Sequence, residues 1–426
     1  WDSEYADEIW TESCGKDRWR GELEDHSAHI SKLSDEKLWE FRNRSRNRLV
    51  DFIRARFERQ AIVSGLPSEV VEIANQVFDP DTLTLGFARR FVPYKRPDLL
   101  LHDPERFIRI LTNPEHPVQL ILAGKAPPSD ESGKALIRKW VQFIQQHNLY
   151  KHVLFLSDYD IMLAENLVQG VDVWVNTPRR PWEASGTSGM KVLVNGGINL
   201  SELDGWWAEA YTPEVGWALG DGQEHGDDPT WDAYEAAKLY EILEQQVVPE
   251  FYARNKKGVS ESWVQRMRKS MATLTPRFSA NRAVREYTEH YYLPAAVNYK
   301  KRAAKKGATG KAIVSARHEL KNKWDAIQLG KVEIESVRQK YHFKIPIWLK
   351  GINPKHIQVE LFAEGINGEA PENMNMKFDR MGEDGEHNFY AQVKTSRPTD
   401  HYTARIVPNY EGVSVPLEDN LILWQH

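Results

Sequence analysis

A single cysteine, Cys14, is all the thiol chemistry this 426-residue chain carries. One thiol forms neither an intramolecular disulfide nor a Cys-rich zinc site, so a reducing compartment, the cytoplasm, is the expected home. Long hydrophobic runs are missing too. The most apolar stretches, such as Val118-Gln119-Leu120-Ile121-Leu122-Ala123, have the length of a strand and fall far short of a membrane span. A strong charge of one sign is also absent: 56 Lys and Arg oppose 61 Asp and Glu, for a formal net charge of −5. That balance excludes a general electrostatic attraction to nucleic acid. No basic-then-apolar leader opens the chain, no internal repeat is visible, and no glycine spacing matches a dinucleotide or Walker phosphate loop. His26 and His29 lie close together, but no carboxylate–histidine pattern completes a metal site.

Against these absences stand 15 tryptophans. Aromatic faces stack on sugar rings and also fill cores, so the count leans towards carbohydrate without deciding it. The length predicts roughly two to four domains. Residues 1–75 read as helical: Leu38, Phe41, Leu49, Phe52, Ile53 and Phe57 recur near helical spacing, and Ser34 is placed to cap that helix. In 76–300, apolar strands expected at Leu83–Phe87, Val118–Ala123, Val153–Leu156 and Val171–Val175 alternate with helix-length segments. Those segments lie around Pro97–Leu111, Glu131–Gln146 and Ile161–Gln169. Such alternation predicts an α/β fold with a doubly wound parallel sheet, whose ligands sit beyond the carboxyl ends of strands. Further helices are expected at 231–249, 259–274 and 281–290, with Pro294 ending the last. A helical linker is expected over 301–330, including a helix from Lys311 to Leu329. The basic run Lys300–Lys306 there is a solvated linker or an anion-binding patch. From 331 to 426 every second residue of His356–Leu361 is apolar, and Ile345–Leu349, Phe389–Val393 and Tyr402–Val407 are further strand candidates. They predict a C-terminal antiparallel β-sandwich.

Four segments could carry chemistry. Arg89, Arg90, Lys95 and Arg96 crowd the connection after the first strand, where they form a phosphate clamp or a solvated basic turn. Lys125 follows the second strand, placed to meet an anion or merely to be packed or solvated. Asp158-Tyr159-Asp160 follows the third, where aspartates also serve as caps. The fourth segment is Glu183-Ala184-Ser185-Gly186-Thr187-Ser188-Gly189-Met190-Lys191. Small residues let backbone amides approach an anion, and a lysine one turn away would suit a phosphorylated aldehyde cofactor. An ordinary glycine-rich turn with a surface lysine satisfies the same residues.

Glu183-Ala184-Ser185-Gly186-Thr187, two further residues, then Met190-Lys191, with Arg90 and Lys95 five apart upstream, resemble the α-glucan phosphorylases. These are the pyridoxal-phosphate-dependent glycogen, starch and maltodextrin phosphorylases, and the likeness is to their bacterial branch with a β-rich C-terminal extension. It covers at least residues 80–295 in colinear order. The resemblance implies that Lys191 carries pyridoxal phosphate and that Thr187, Ser188 and Gly189 cradle its phosphate. It implies that Arg90 and Lys95 hold the substrate phosphate, and that Glu183 with the Ser185-Gly186 backbone binds the glucosyl ring. Arg89 stands where the family usually has a lysine near the cofactor phosphate. Tyr159 matches a tyrosine beside the cofactor, while Asp160 replaces a frequent arginine.

The implied reaction is phosphorolysis of an α-1,4-glucan with inorganic phosphate, releasing glucose 1-phosphate with retention, in which Arg90, Lys95 and Lys191 are the catalytic residues. No metal, nucleic acid or membrane is implied, and a homodimer is left open. Members of the family place the site between two Rossmann-like domains. This chain resembles the C-terminal one, with residues 1–75 as the helical tail of the other, so the expectation is a fragment with little activity alone. Two competing readings stay open at the level of sequence: a nucleotide-sugar glycosyltransferase of glycogen-synthase type, and a non-catalytic glucan-binding module.

Overall fold

The strands Leu83–Ala88 (β1) and Val118–Ala123 (β2) are buried at every residue. Runs without polar alternation need cover on both faces, which parallel strands joined by crossing helices provide. The computed structural model, which describes residues 1–20, 26–337, 340–366, 370–395 and 397–425, shows that layering. It divides into two units, Trp1–Val284 and Arg285–His426.

In the first unit β1 and β2 join Val153–Leu156 (β3), Val173–Asn176 (β4), Ile198–Glu202 (β5) and Gly216–Leu219 (β6). The order is β3-β2-β1-β4-β5-β6, with every pair parallel. This is the α/β doubly wound sheet expected from the sequence. Chain direction across the sheet reverses between β1 and β4, the place where such folds open a crevice. β4 starts at Val173 rather than at Val171. Val171 N–H instead closes the helix Ile161–Gly170 on Leu167 O at 3.1 Å, and the Asp172 carboxylate turns to a neighbouring strand. The helix expected around Pro97–Leu111 is likewise shorter. A 3₁₀ turn, Leu99–Leu101, precedes a helix Pro104–Leu111 capped by Asp103, because proline keeps the residue before it out of the helical region.

The helix Asp35–Val63 begins as the sequence indicates, with Ser34 Oγ accepting from Lys37 N–H at 3.2 Å. Leu38, Phe41, Leu49, Ile53 and Phe57 belong to the same core as the sheet. The sequence pattern did not reveal that Arg42 and Arg46 of this helix are fully buried. Arg42 donates to the carbonyls of Gln169, Gly170, Val171 and Asn195 at 2.7–3.0 Å. Burial pushes its guanidinium down to about 10, which leaves it charged at neutral pH. Arg46 Nη1 donates to Asp172 Oδ1 at 2.7 Å, while Asp172 Oδ2 accepts the Thr84 N–H of β1 at 2.9 Å. A Cβ at Gly170 would collide with Leu49, so the helices Asp35–Val63 and Ile161–Gly170 meet where only glycine fits.

In the second unit Pro294 does not end the helix. A π stretch, Thr288–Tyr292, leads directly into Leu293–Lys323, and Pro294 occupies the first turn, where a missing N–H costs little. The basic run is interrupted by a kink at Ala304–Gly307, with Lys305 and Lys306 at φ 51° and 57°. The helix stops at Lys323 rather than Leu329, because Trp324 and Ile327 turn into a β core.

That core lies between two antiparallel sheets. One contains Gln328–Leu329 (β7), Glu333–Val337 (β8), Lys340–Trp348 (β9), Lys377–Met381 (β12) and His387–Val393 (β13). The other contains Ile357–Ala363 (β10), Glu372–Asn375 (β11), Thr403–Pro408 (β14) and Leu423–Trp424 (β15). Phe343, Ile345 and Ile347 of the first meet Val359, Leu361 and Ile406 of the second in one apolar cluster.

Asp172→Ala is expected to lower the unfolding free energy by about 3–5 kcal/mol, because it strands a buried guanidinium and a strand N–H. Chemical denaturation measures this, and a loss below about 1 kcal/mol would refute the role given to Asp172.

Candidate active site

Arg89 follows β1 directly, and Glu183 lies on the long connection after β4, so the switch between these neighbouring strands brings them together. Arg89 Nη1 donates to Glu183 Oε2 at 2.6 Å. Lys95 Nζ donates to the same oxygen, and all three side chains are buried. Arg89 Nη2 also reaches Ser188 Oγ at 3.1 Å, and burial pushes the guanidinium below its usual value, with Glu183 opposing. Two cations share one carboxylate, which leaves a surplus positive charge in a site removed from water. Half-buried Tyr159 stands close enough to feel the Arg89 charge, which opposes the upward push of burial on its phenol.

The loop carrying Glu183 is held from the segment that follows β5. Asp204 Oδ2 accepts the Glu183 N–H at 2.8 Å, and Trp206 N–H donates to Ser185 O at 2.9 Å. Gly186 takes φ +86° against the Glu183 side chain. Lys191 lies in the short helix Ser188–Leu193. Close packing shapes that helix: a Cβ on Gly189 would sit 2.5 Å from Asn199 Oδ1 and 3.0 Å from the Trp206 ring. Lys191 and Thr187 line a cavity of about 730 Å³ with Trp1, Trp10, Met190 and Phe278. The Lys191 amine sits 3.9 Å from the centre of the Trp1 ring, and burial lowers its pKa below the usual 10.5.

The motif 183–191 therefore serves two places. Glu183 and Ser188 join Arg89 and Lys95, while Thr187 and Lys191 face the cavity. Arg90 is exposed, and so is Lys125. Asp160 caps the helix Ile161–Gly170, accepting Leu163 N–H at 2.8 Å.

Arg96, counted with the clamp or solvated turn in the sequence, belongs to neither, and nothing in the sequence shows that the carboxylates it meets share a site. In the left-handed region at φ 43°, it extends away from Lys95 into a buried acidic cluster. It donates to Glu202 Oε2 and Asp232 Oδ1 at 3.0 Å each, to Glu235, and to the carbonyls of Thr177 and Pro178. Arg179 grips Asp232 with both guanidinium nitrogens, at 2.9 and 2.7 Å. This brace ties the turn carrying Lys95 to the loop leading to Glu183. Burial, reinforced by the Glu235 charge, pushes the Glu202 carboxyl up to about 9, so it is protonated at neutral pH. Its carboxyl fills the space that a Cβ at Gly220 would need, so only glycine fits there. The only signal in the sequence was a carboxylate closing an otherwise unchargeable strand, β5.

A family model described as Carbohydrate phosphorylase matches residues 39–219, and one described as Glycogen phosphorylase C-terminal domain matches residues 324–426. A protein named glycogen phosphorylase from Mycobacterium tuberculosis (strain CDC 1551 / Oshkosh) is 34% identical over 404 residues, covering 90% of this chain and 46% of its own length. One named maltodextrin phosphorylase from Thermococcus litoralis is 34% identical over 421 residues, covering 96% of this chain and 49% of its own. A glycogen phosphorylase from Aquifex aeolicus is 41% identical over 274 residues, 64% of this chain and 39% of its own. The chain spans about half the length of the first two relatives.

The raised Glu202 pKa carries a stability consequence. Between pH 4.5 and about 9 the folded chain holds a proton there that the unfolded chain has lost, so this group's contribution falls as pH rises through that window. Glu202→Gln removes the titration, and its stability relative to the parent is expected to improve between about pH 5 and about pH 8. Urea denaturation at the two pH values tests this; parallel pH dependence of the two proteins would contradict the assignment.

Proposed function

This chain belongs to the carbohydrate phosphorylase family, and from that premise we propose that it carries the cofactor- and phosphate-binding part of a pyridoxal-phosphate-dependent α-1,4-glucan phosphorylase. The observation that carries the reading is Lys191. A lysine with a lowered pKa, facing a cavity of about 730 Å³, lies on the same nine-residue segment as a buried carboxylate that shares two cations. A larger neutral fraction of that amine makes it the nucleophile an aldehyde cofactor requires. The Ser188 hydroxyl and the Arg89 guanidinium, whose buried Nε finds no partner among the described residues, fit the needs of a phosphate ester. When bound, pyridoxal phosphate supplies such an ester, with a second ionisation near pH ~6 suited to proton exchange.

In this reading Thr187, Ser188 and Gly189 border the cofactor phosphate, with Arg89 and Tyr159 beside it. Arg90 and Lys95 bind inorganic phosphate or the phosphate of glucose 1-phosphate. Glu183 and the Ser185-Gly186 backbone hold the terminal glucosyl unit of the glucan. Lys95 would leave Glu183 as phosphate arrives, freeing the carboxylate to accept hydrogen bonds from sugar hydroxyls. Two phosphates in a dry site repel, so the surplus positive charge of Arg89, Arg90 and Lys95 is what would allow them to approach. We take the facing wall of the site to come from sequence beyond the half of the relatives' length that this chain spans, which would leave the chain alone with little activity. Among the described residues no helix is long and apolar enough to cross a membrane, and the cytoplasm is the compartment this reading assigns.

Incubation with pyridoxal phosphate and borohydride is expected to label Lys191, and Lys191→Ala should abolish that label. Labelling should reach half its maximal rate below the 10.5 of an ordinary lysine, since the free amine appears at lower pH. A label elsewhere, or an unchanged one in Lys191→Ala, would defeat the cofactor assignment. In an assembly that releases glucose 1-phosphate, Arg90→Ala or Lys95→Ala should slow turnover about 10²–10³-fold, the size of one preorganised electrostatic contact. An unchanged rate would remove that residue from the phosphate site. Rapid glucose 1-phosphate release by this chain alone would refute the need for a facing wall.

A further inference from the structure

Lys95 and Glu183 meet although 88 positions separate them in the chain, and the way their backbones are joined decides how the pair can open. The turn 94–96 and the segment 177–179 are zipped together. Arg179 N–H donates to Tyr94 O at 2.7 Å, and the Thr177 hydroxyl donates to the carbonyls of Lys95 and Arg96 at 3.2 and 3.1 Å. Arg96 returns two bonds, from Nε to Thr177 O at 3.1 Å and from Nη2 to Pro178 O at 3.0 Å. The Arg179 side chain locks this zipper from outside. Its fork takes both oxygens of Asp232 and the carbonyl of Gly226, at 2.7–2.9 Å. Asp232 Oδ1 also accepts from Arg96, so one carboxylate holds an arginine from each side of the zipper. Only 12% of the Arg179 side chain is exposed, which sets this pair apart from the weak ion pairs of a surface. Further along, the same segment delivers Glu183, with Trp182 N–H closing on Arg179 O at 2.9 Å.

We propose that Arg179 is a positioning residue. By clamping the segment that leads to Glu183 onto the turn of Lys95, it keeps the two side chains at bonding distance. Their separation is then confined to a movement of the lysine side chain. The inference rests on the reading of Lys95 as a phosphate ligand and of Glu183 as the carboxylate it leaves, and it adds the group that holds both in register. With both backbones fixed, an arriving anion has only the lysine stem to reorder, so little affinity is lost in organising the site. The role calls for an arginine rather than any cation. A lysine at this position could meet one oxygen of Asp232, but could not span both of them and Gly226 together.

The test uses the full chain and follows the acetylation rate of each lysine by mass spectrometry. Lys95 is buried and bonded, so it should react slowly in the parent. Arg179→Ala should speed its acetylation at least about ten-fold, and Asp232→Asn, which weakens the same clamp from the other side, should act in the same direction. Arg106→Ala breaks a comparable fork on Glu244, away from the zipper, and should leave Lys95 as protected as in the parent. Thermal unfolding of each variant separates a folding defect from a local one, and if Arg179→Ala fails to fold, Asp232→Asn decides by the same criteria. In an assembly that releases glucose 1-phosphate, Arg179→Ala should raise KM for inorganic phosphate about ten-fold with kcat within about three-fold, the pattern of a contact weakened equally in ground and transition states. A Lys95 that stays protected in Arg179→Ala, or one exposed as strongly by Arg106→Ala, overturns the positioning role. An exposed Lys95 with an unchanged KM supports that role and sinks the assignment of Lys95 to phosphate.

Discussion

The Asp172 carboxylate accepts a backbone amide from β1 on one oxygen and an arginine of the long N-terminal helix on the other, just where the chain turns from a helix into β4. Three parts of the molecule that are far apart in sequence are fixed to one another at this point. β1 and β4 are the neighbours between which the sheet reverses its winding, so the geometry of the crevice above them depends on how they are joined below. Arg42 strengthens the joint by binding the carbonyls at the end of the preceding helix, groups that would otherwise be buried without partners. A buried charge is costly to place and far more costly to strand, so the arrangement tolerates little change.

A second ionic joint above the sheet repeats the logic with the excess reversed. Arg96 and Arg179 meet Glu202, Asp232 and Glu235, and protonation of Glu202 relieves the extra negative charge. The cluster of Arg89, Lys95 and Glu183 keeps its extra positive charge instead. The two clusters share one short turn, Pro93–Lys95 followed by Arg96, whose left-handed backbone sends consecutive side chains to opposite tasks. One cluster is internally balanced and serves as scaffold, and the other is left wanting an anion.

The layered α/β architecture was legible because its strands are continuous apolar runs and its helices alternate with them. The Ser34 cap was legible because it is a local hydrogen bond. The motif 183–191 was legible as a unit, but its division between a cavity and an ion cluster was not, since that depends on which way Ser188 and Lys191 point. Arg42 and Arg46 were hidden because arginines in a helix ordinarily face solvent, and nothing local reveals a partner 126 residues away. The Arg96 cluster was hidden for the same reason, its carboxylates lying 106 to 139 residues further on. Pro294 misled because a proline normally marks a helix end, whereas the π stretch before it had already interrupted the hydrogen-bond ladder.

The carboxylate of Glu183 has a thermodynamic consequence of its own. With Lys95 and Arg89 on the same oxygen, the acceptor assigned to sugar is occupied by the donors assigned to phosphate. On the proposed assignment an anion that drew Lys95 away would unmask the acceptor, and a sugar that engaged the acceptor would loosen Lys95 for an anion. Coupling of this kind is reciprocal, so each ligand strengthens the other by the same factor whichever arrives first. On the proposed assignment a single oxygen atom would make the affinities for phosphate and for glucan one linked quantity, without any movement of a domain.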